Sequence, residues 1–179
     1  ASSVMSPFRT SNLSNGSTAS LTMIVSSVEF TEYSDAASIP SGQKAYVYIP
    51  NTGQLATASD PTSTNKGYMA KVRWSKTSAS PNIGTLRSCT TPLTPSDNSA
   101  GAAAASLPKG LYSSGSVVVA DVTYKYEPQF GGSIITLTTS GGVSYIPMSN
   151  TTYMRPRNWT TYITYDSSKV NTTNDYCKQ

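Results

Sequence analysis

The stretch from Ser116 to Thr139, SVVVADVTYKYEPQFGGSIITLTT, is the one long segment in which strand periodicity, turn chemistry and β-propensity agree. Successive side chains of a strand point to opposite faces, so Val118, Ala120, Val122, Tyr124 and Tyr126 share one side. Val117, Val119, Asp121, Thr123, Lys125 and Glu127 share the other. Pro128, Gln129, Phe130, Gly131 and Gly132 then break the alternation, and Ile135 and Leu137 resume an apolar face. The segment reads as an antiparallel hairpin with its connection at Pro128 to Gly132. At about 3.3 Å per residue the first arm reaches roughly 35 Å, so a bend or bulge is expected in it. The rest of the domain is expected to pack against the face carrying Val118, Val122 and Tyr124.

The chain's 179 residues fit one domain over 1–179, with 1–19 as a loose lead-in and 78–109 as a Pro/Ser/Ala-rich connection. Only 12% of residues are charged and 12 are Tyr, which suits an extracellular β protein better than a helical cytosolic enzyme. The formal charge of +4 comes from 13 basic and 9 acidic residues scattered along the chain. With no run of like charges, neither a nucleic-acid groove nor a polybasic membrane patch is indicated. No stretch approaches the ~18 apolar residues of a membrane helix, and no signal-peptide pattern opens at Ala1.

Cys89 and Cys177 are the only cysteines, in polar, Thr-rich surroundings. Their spacing matches no zinc or CxxC pattern, and the chain has no His to complete a mixed metal site. A disulfide between them is favoured over two free thiols, which implies an oxidising compartment. N-x-S/T sequons at Asn12, Asn15, Asn150, Asn158 and Asn171 are mostly chance in so Ser- and Thr-rich a chain.

Further strands are read outward from the central stretch. SLTMIVSSVEF, from Ser20 to Phe30, places Leu21, Met23 and Val25 on one face, with Ile24 and Val28 on the other after a Ser-Ser bulge. KAYVYIP, Lys44 to Pro50, is a short strand, and the polar run that follows it is the expected long loop. GYMAKVRWSKT, Gly67 to Thr77, sets Tyr68, Ala70, Val72 and Trp74 on one face and Met69, Lys71, Arg73 and Ser75 on the other. Trp74 reads as a core anchor joined to Val118, Val122 and Tyr124 rather than as a sugar-stacking platform. The run Ala102 to Ala105 allows one helical turn, VSYIPM is a short edge element, and Trp159 to Tyr165 reads as a last strand. The fold class is mainly β: an antiparallel sheet or sandwich-like domain with long polar loops.

Without histidine, the commonest general base and the Ser-His-Asp and Cys-His constellations are absent. Asp121 and Glu127 on one strand face would stand roughly 20 Å apart, too far for a glycosidase pair; Glu29 with Asp121 stays open as a cross-strand pair. No P-loop, GxGxxG, GxSxG or SxxK pattern is present.

Four pieces in order, LTMIVSSV near the start, YMAKVRWSKT, LPKGLYSSGSVVVADVTYKYEPQF and YMRPR, resemble the C-terminal globular region of TadE/TadG-like minor pseudopilins of the bacterial tight-adherence (Flp, type IVc) pilus. The match covers Leu21 to Arg157 with gaps, and its order and spacing carry the weight. The positions that fit the family pattern include Trp74, Tyr124, Tyr126, Pro128, Arg155, Pro156 and Arg157. Two departures stand out: the family's hydrophobic N-terminal helix does not occur in this sequence, and the loop from Thr31 to Lys66 is longer than expected.

The resemblance implies a pilin ectodomain without catalytic residues or cofactors, located in the periplasm or on the cell surface, with a full-length precursor anchored in the inner membrane. Its implied partners are other minor and major pilins and, through the N-terminal helix, the inner-membrane assembly platform, with a surface or host receptor as a further partner and no nucleic acid. Such a domain would show no large exposed apolar patch except where the helix docks, expected beside Val4, Met5 and Phe8. The alternative is an independent secreted β-sandwich that binds carbohydrate or a host protein.

Overall fold

The computed structural model describes residues 21–48, 55–56, 61–77, 86–96, 104–126, 138–140, 143–157, 162–163 and 175–176. The fold is mainly β, as expected. Its body is an antiparallel sheet whose central strands are β1 (Leu21–Tyr33), β4 (Gly67–Thr77), β7 (Gly115–Tyr126) and β9 (Val143–Met154), in the order β4-β1-β7-β9. Two short strands, β2 (Tyr46–Tyr48) and β3 (Leu55–Ala56), extend the sheet beyond β4, and β8 (Thr138–Ser140) extends it beyond β9. The far edge of β4 is shared along its length. β2 pairs with Gly67 and Tyr68, Leu93 bridges Ala70, and β10 (Asp175–Tyr176) pairs with Ser75 and Lys76. Gly67 allows this crowding, because a Cβ there would lie 2.9 Å from the Pro61 Cβ and 3.1 Å from that of Ala45.

Two of the sequence expectations about pairing are corrected. The partners of β7 are β1 and β9; β8 pairs with β9, Thr138 opposite Tyr145, rather than with β7. The element at VSYIPM is the start of a strand that continues to Met154, and Pro147 is accommodated within it. A proline disrupts a ladder only on its N–H side, so it is tolerated on a strand near the rim. The hairpin connection at 128–132, most of the strand expected over 159–165, and Val4, Met5 and Phe8 lie outside the described residues. Tyr162 and Ile163, the described part of 159–165, are not in a strand.

The faces of the sheet follow from register, since directly opposed residues project to the same side. On one face lie Ile24, Ser26, Val28 and Phe30 of β1, with Val119 and Val117 of β7 opposite Ser26 and Val28. Val72 and Ala70 of β4 oppose Val28 and Phe30. This is the core: Val28, Phe30, Ala70, Val72, Val117 and Val119 form one buried cluster. The expected core face of Val118, Val122 and Tyr124 is therefore the opposite one. Both faces of β7 are apolar, so alternation alone does not say which is covered.

The irregularity falls in a different strand from the one expected. β1 runs in unbroken register against β7. Against β4 the register shifts: Ser27 opposes Trp74 while Val28 opposes Val72, which leaves Arg73 as the extra residue. A bulge reverses the alternation beyond it. Ser75 and Thr77 thus join the core face, and Trp74 turns to the side of Ser27 and Val118. The sequence reading grouped Trp74 with Tyr68, Ala70 and Val72; the bulge separates them.

The core face is covered by described parts of the segment read as a connection over 78–109 and by Tyr112 just after it. Cys89, Leu93, Leu107 and Tyr112 are buried against the sheet, with β5 (Thr94–Ser96) and β6 (Ser106–Pro108) forming a small parallel pair across it. The Leu93 amide donates to the Ala70 carbonyl at 2.9 Å, and the Tyr112 hydroxyl donates to the Leu93 carbonyl at 2.6 Å. Tyr112 also meets Phe30 and Tyr46 edge-on, with ring centroids 5.3 and 5.4 Å apart. Ala104 and Ala105, within the expected helical turn, form a turn, and the short 3-10 segment lies at Lys109–Leu111.

Candidate functional site

The most concentrated chemistry among the described residues sits between the covering segment and the sheet. Arg87 is fully buried, and its guanidinium meets the Asp121 carboxylate with two parallel contacts, Nε to Oδ2 at 3.2 Å and Nη2 to Oδ1 at 3.1 Å. Nη1 donates to the Ser106 carbonyl at 2.9 Å and the Ala104 carbonyl at 3.4 Å, while the Thr151 hydroxyl donates to Asp121 Oδ1 at 2.7 Å. β7 supplies the acid, β9 the hydroxyl, and the covering segment the base. Nearby, the Tyr153 hydroxyl is buried without a hydrogen-bond partner. Burial raises its pKa, with the Arg87 charge opposing and the Asp121 charge reinforcing that shift. Planar, bidentate and enclosed, the Arg87–Asp121 pair has the geometry of a lock between two layers. Both Asp121 oxygens are engaged, Oδ1 by Arg87 and Thr151 and Oδ2 by Arg87. Glu29, the other acid of the cross-strand pair, projects from the opposite face and is held by Arg73.

The residues singled out by the family pattern fall into two groups. Trp74 is half-buried on the face away from the core cluster and its Nε1 donates to the Ile163 carbonyl at 2.7 Å. Tyr124 is buried and Tyr126 is 37% exposed on that same face; Pro128 lies outside the described residues. Arg155 works at the end of the sheet. Its guanidinium donates to the Leu111 and Ser114 carbonyls and lies 5.9 Å from the centre of the Phe30 ring. These are the carbonyls just ahead of Gly115, whose φ of 97° starts β7 in a conformation that favours glycine. Pro156 is half-buried and Arg157 exposed directly after it. Cys89 is 1% exposed and is not a free thiol. Its expected partner Cys177 lies outside the described residues, one position beyond β10, and the bond between them remains a proposal.

Sequence reasoning missed Arg87 and Thr151. Neither lies in a periodic segment, and the only available signal was a lone arginine among Ser and Thr in a chain of low charge.

The second face of the sheet is the other candidate. Across β1, β7 and β9 the register sets Leu21, Tyr124 and Met148 in one row, Met23, Val122 and Asn150 in the next, and Ser27, Val118 and Met154 in a third. Met23 is 42% exposed, and Met148 and Met154 are each 52% exposed. Toward β4 the same face becomes polar. Arg73 pairs with Glu29, with Arg73 Nε to Glu29 Oε2 at 2.6 Å, and lies over the Tyr162 ring at 5.1 Å. An apolar strip bordered by polar groups is suited to contact with another macromolecule, and methionine's flexible thioether adapts to varied partners. Among the described residues, no group of His, Cys, Asp and Glu is placed to hold a metal ion, and no helix is long and apolar enough to cross a membrane. Comparison with known proteins finds no matching family model, no matching curated protein and no matching solved structure.

Proposed function

We propose that this chain is the ectodomain of a TadE-like minor pilin, without catalytic activity, acting in assembly initiation, tip formation or surface attachment of a tight-adherence pilus. One observation carries the reading. The four sequence pieces that resemble the family fall on neighbouring central strands: YMAKVRWSKT on β4, LTMIVSSV on β1, GSVVVADVTYKY on β7, and the start of YMRPR on β9. The arginine of YMRPR reaches across to the carbonyls of LPKGLYSSG. Pieces far apart in the chain thus act as one structural unit, as this reading requires. The absence of histidine supports a non-enzymatic reading.

On this reading the partners are other minor and major pilins. The full-length precursor is held in the inner membrane by an apolar helix ahead of Ala1, and the domain stands in the periplasm or at the cell surface. Two measurements test it. The coding sequence upstream of Ala1 should specify about 20 consecutive apolar residues. Affinity capture with the domain, from cells expressing the pilus genes, should recover a second minor pilin. A cleavable signal peptide upstream, with no pilus component recovered and selective retention on a glycan array, would sink the reading in favour of a secreted binding module.

A further inference from the structure

We propose that the outer edge of β9 is a self-association surface, on which two copies of the chain pair antiparallel about Thr151 to continue one sheet through the dimer. β9 is bonded to β7 along Ile146–Met154, and on its other side β8 covers only Val143, Ser144 and Tyr145. Among the described residues no strand lies against the remaining edge, and Pro147, Met148, Ser149, Asn150, Thr152 and Met154 are exposed there. An edge of this length is a ready template for another strand, and proteins ordinarily blunt it with charged side chains. β9 has none: VSYIPMSNTTYM carries no charged residue from Val143 to Met154.

Two features select a second copy as the occupant. A two-fold axis brings every residue against its own chain's chemistry, so a strand with charges of one sign would repel itself, and this strand is neutral. The second feature is the placement of the exposed methionines. Met148 and Met154 stand three positions either side of Thr151 on the same face. Antiparallel pairing centred on Thr151 sets each Met148 directly against Met154 of the other copy, and Asn150 against Thr152. The apolar rows that end at the rim in Met148 and Met154 then run on into one another. No other residue as the centre sets both methionines against apolar side chains of the other copy. The contact is a strand edge and one face strip, smaller than a standard interface, so the dimer is weak, dissociating on the order of 100 µM. This inference does not rest on the pilin reading.

Sedimentation equilibrium of the full chain, from about 10 µM to about 1 mM, reads the association directly. A reversible monomer–dimer equilibrium is expected; a monomer throughout the range overturns the proposal. Register is tested with two double variants at exposed positions, each verified by unchanged far-UV circular dichroism and Tm. Asn150→Lys with Thr152→Lys sets like charges against each other twice across the axis, and should weaken the dimer at least about tenfold. Asn150→Asp with Thr152→Lys sets opposite charges there and should leave it as tight as the parent or tighter. Equal effects of the two variants, or no effect of either on a dimer that does form, would overturn the β9 pairing.

Discussion

Replacing Arg87 by Met removes the one fully buried charged side chain among the described residues while keeping most of its volume. The loss has three parts. Asp121 keeps the Thr151 hydroxyl but loses both guanidinium contacts, at 3.1 and 3.2 Å, in a position where its side chain is only 23% exposed. The Ser106 carbonyl loses its donor at 2.9 Å, and so does that of Ala104. The tie between β7 and the covering segment is also cut. Removing one partner of a buried pair costs about 3–5 kcal/mol, mostly because the remaining charge is left uncompensated. Against a total stability of about 5–15 kcal/mol for a domain, that is a large share. Urea denaturation of the oxidised protein at pH 7, followed by fluorescence and far-UV circular dichroism, measures it. The double variant Arg87→Met with Asp121→Val removes the orphaned charge as well, so it should fall short of the sum of the single variants by about 1–3 kcal/mol. Arg73→Met, which breaks a pair whose side chains are 24% and 19% exposed, should cost about 1 kcal/mol. An Arg87→Met cost under about 1 kcal/mol, or strict additivity in the cycle, would refute the assignment of Arg87 and Asp121 as the lock between the layers.

Three other outcomes are expected. Val117→Ala should cost about 2–3 kcal/mol and Val118→Ala distinctly less, because Val117 is fully buried and Val118 is not; equal costs in thermal melts would contradict the face assignment. Stability should fall as pH rises above about 10. Burial raises the phenol pKa of Tyr112 and, less strongly, of Tyr46, Tyr68 and Tyr153 above the ordinary value of 10.0. The unfolded chain therefore releases protons that the folded one retains, and absorbance at 295 nm should show late-titrating phenols released together with unfolding. Intact mass of the unreduced protein should show no alkylated cysteine, with Cys89 and Cys177 in one tryptic cross-link. Reduction should then cost about 4–5 kcal/mol in the chain-entropy account of a loop of about ninety residues. Two adducts without prior reduction would dismiss the bond.

The strands that carry the sheet were legible because alternation and turn residues mark them: β4 spans Gly67 to Thr77 as read, and β1 and β7 are recovered nearly whole. What alternation cannot convey is which side of a two-sided apolar strand is covered. Val117 and Val119 are buried because Leu93, Leu107 and Tyr112 fold back over them from the stretch ahead of β7, where no periodicity shows. The bulge at Arg73 was similarly invisible, since one extra residue has no compositional mark, yet it moves Trp74 to the other face and removes it from the core. β9 was underestimated because Pro147 and the polar run Ser149–Thr152 resemble a loop, though a rim strand tolerates both. Of the candidate site, Arg155 stood out by its place in YMRPR but its hold on the Leu111 and Ser114 carbonyls did not, and the Arg87–Asp121–Thr151 network depends on three segments that only the tertiary fold brings together.

The two faces of the sheet also separate stability from recognition in a way that substitution can expose. The face under Arg87 and Tyr112 is closed by its own chain, so changes there act on folding. On the other face, Met148 and Met154 retain about half of their exposure, and their contribution to folding is correspondingly small. Met148→Ser with Met154→Ser should then lower stability by no more than about 1 kcal/mol in total, within the range of ordinary surface substitutions. The same pair of changes removes the apolar strip at the sheet rim, where contact with another macromolecule gains most from flexible thioethers. Denaturation midpoints and association constants measured on one preparation distinguish the two effects. A nearly unchanged midpoint with weakened association assigns the methionines to recognition. A stability loss above about 2 kcal/mol would instead mean that the strip is covered within the folded chain, and the rim would no longer be a contact surface.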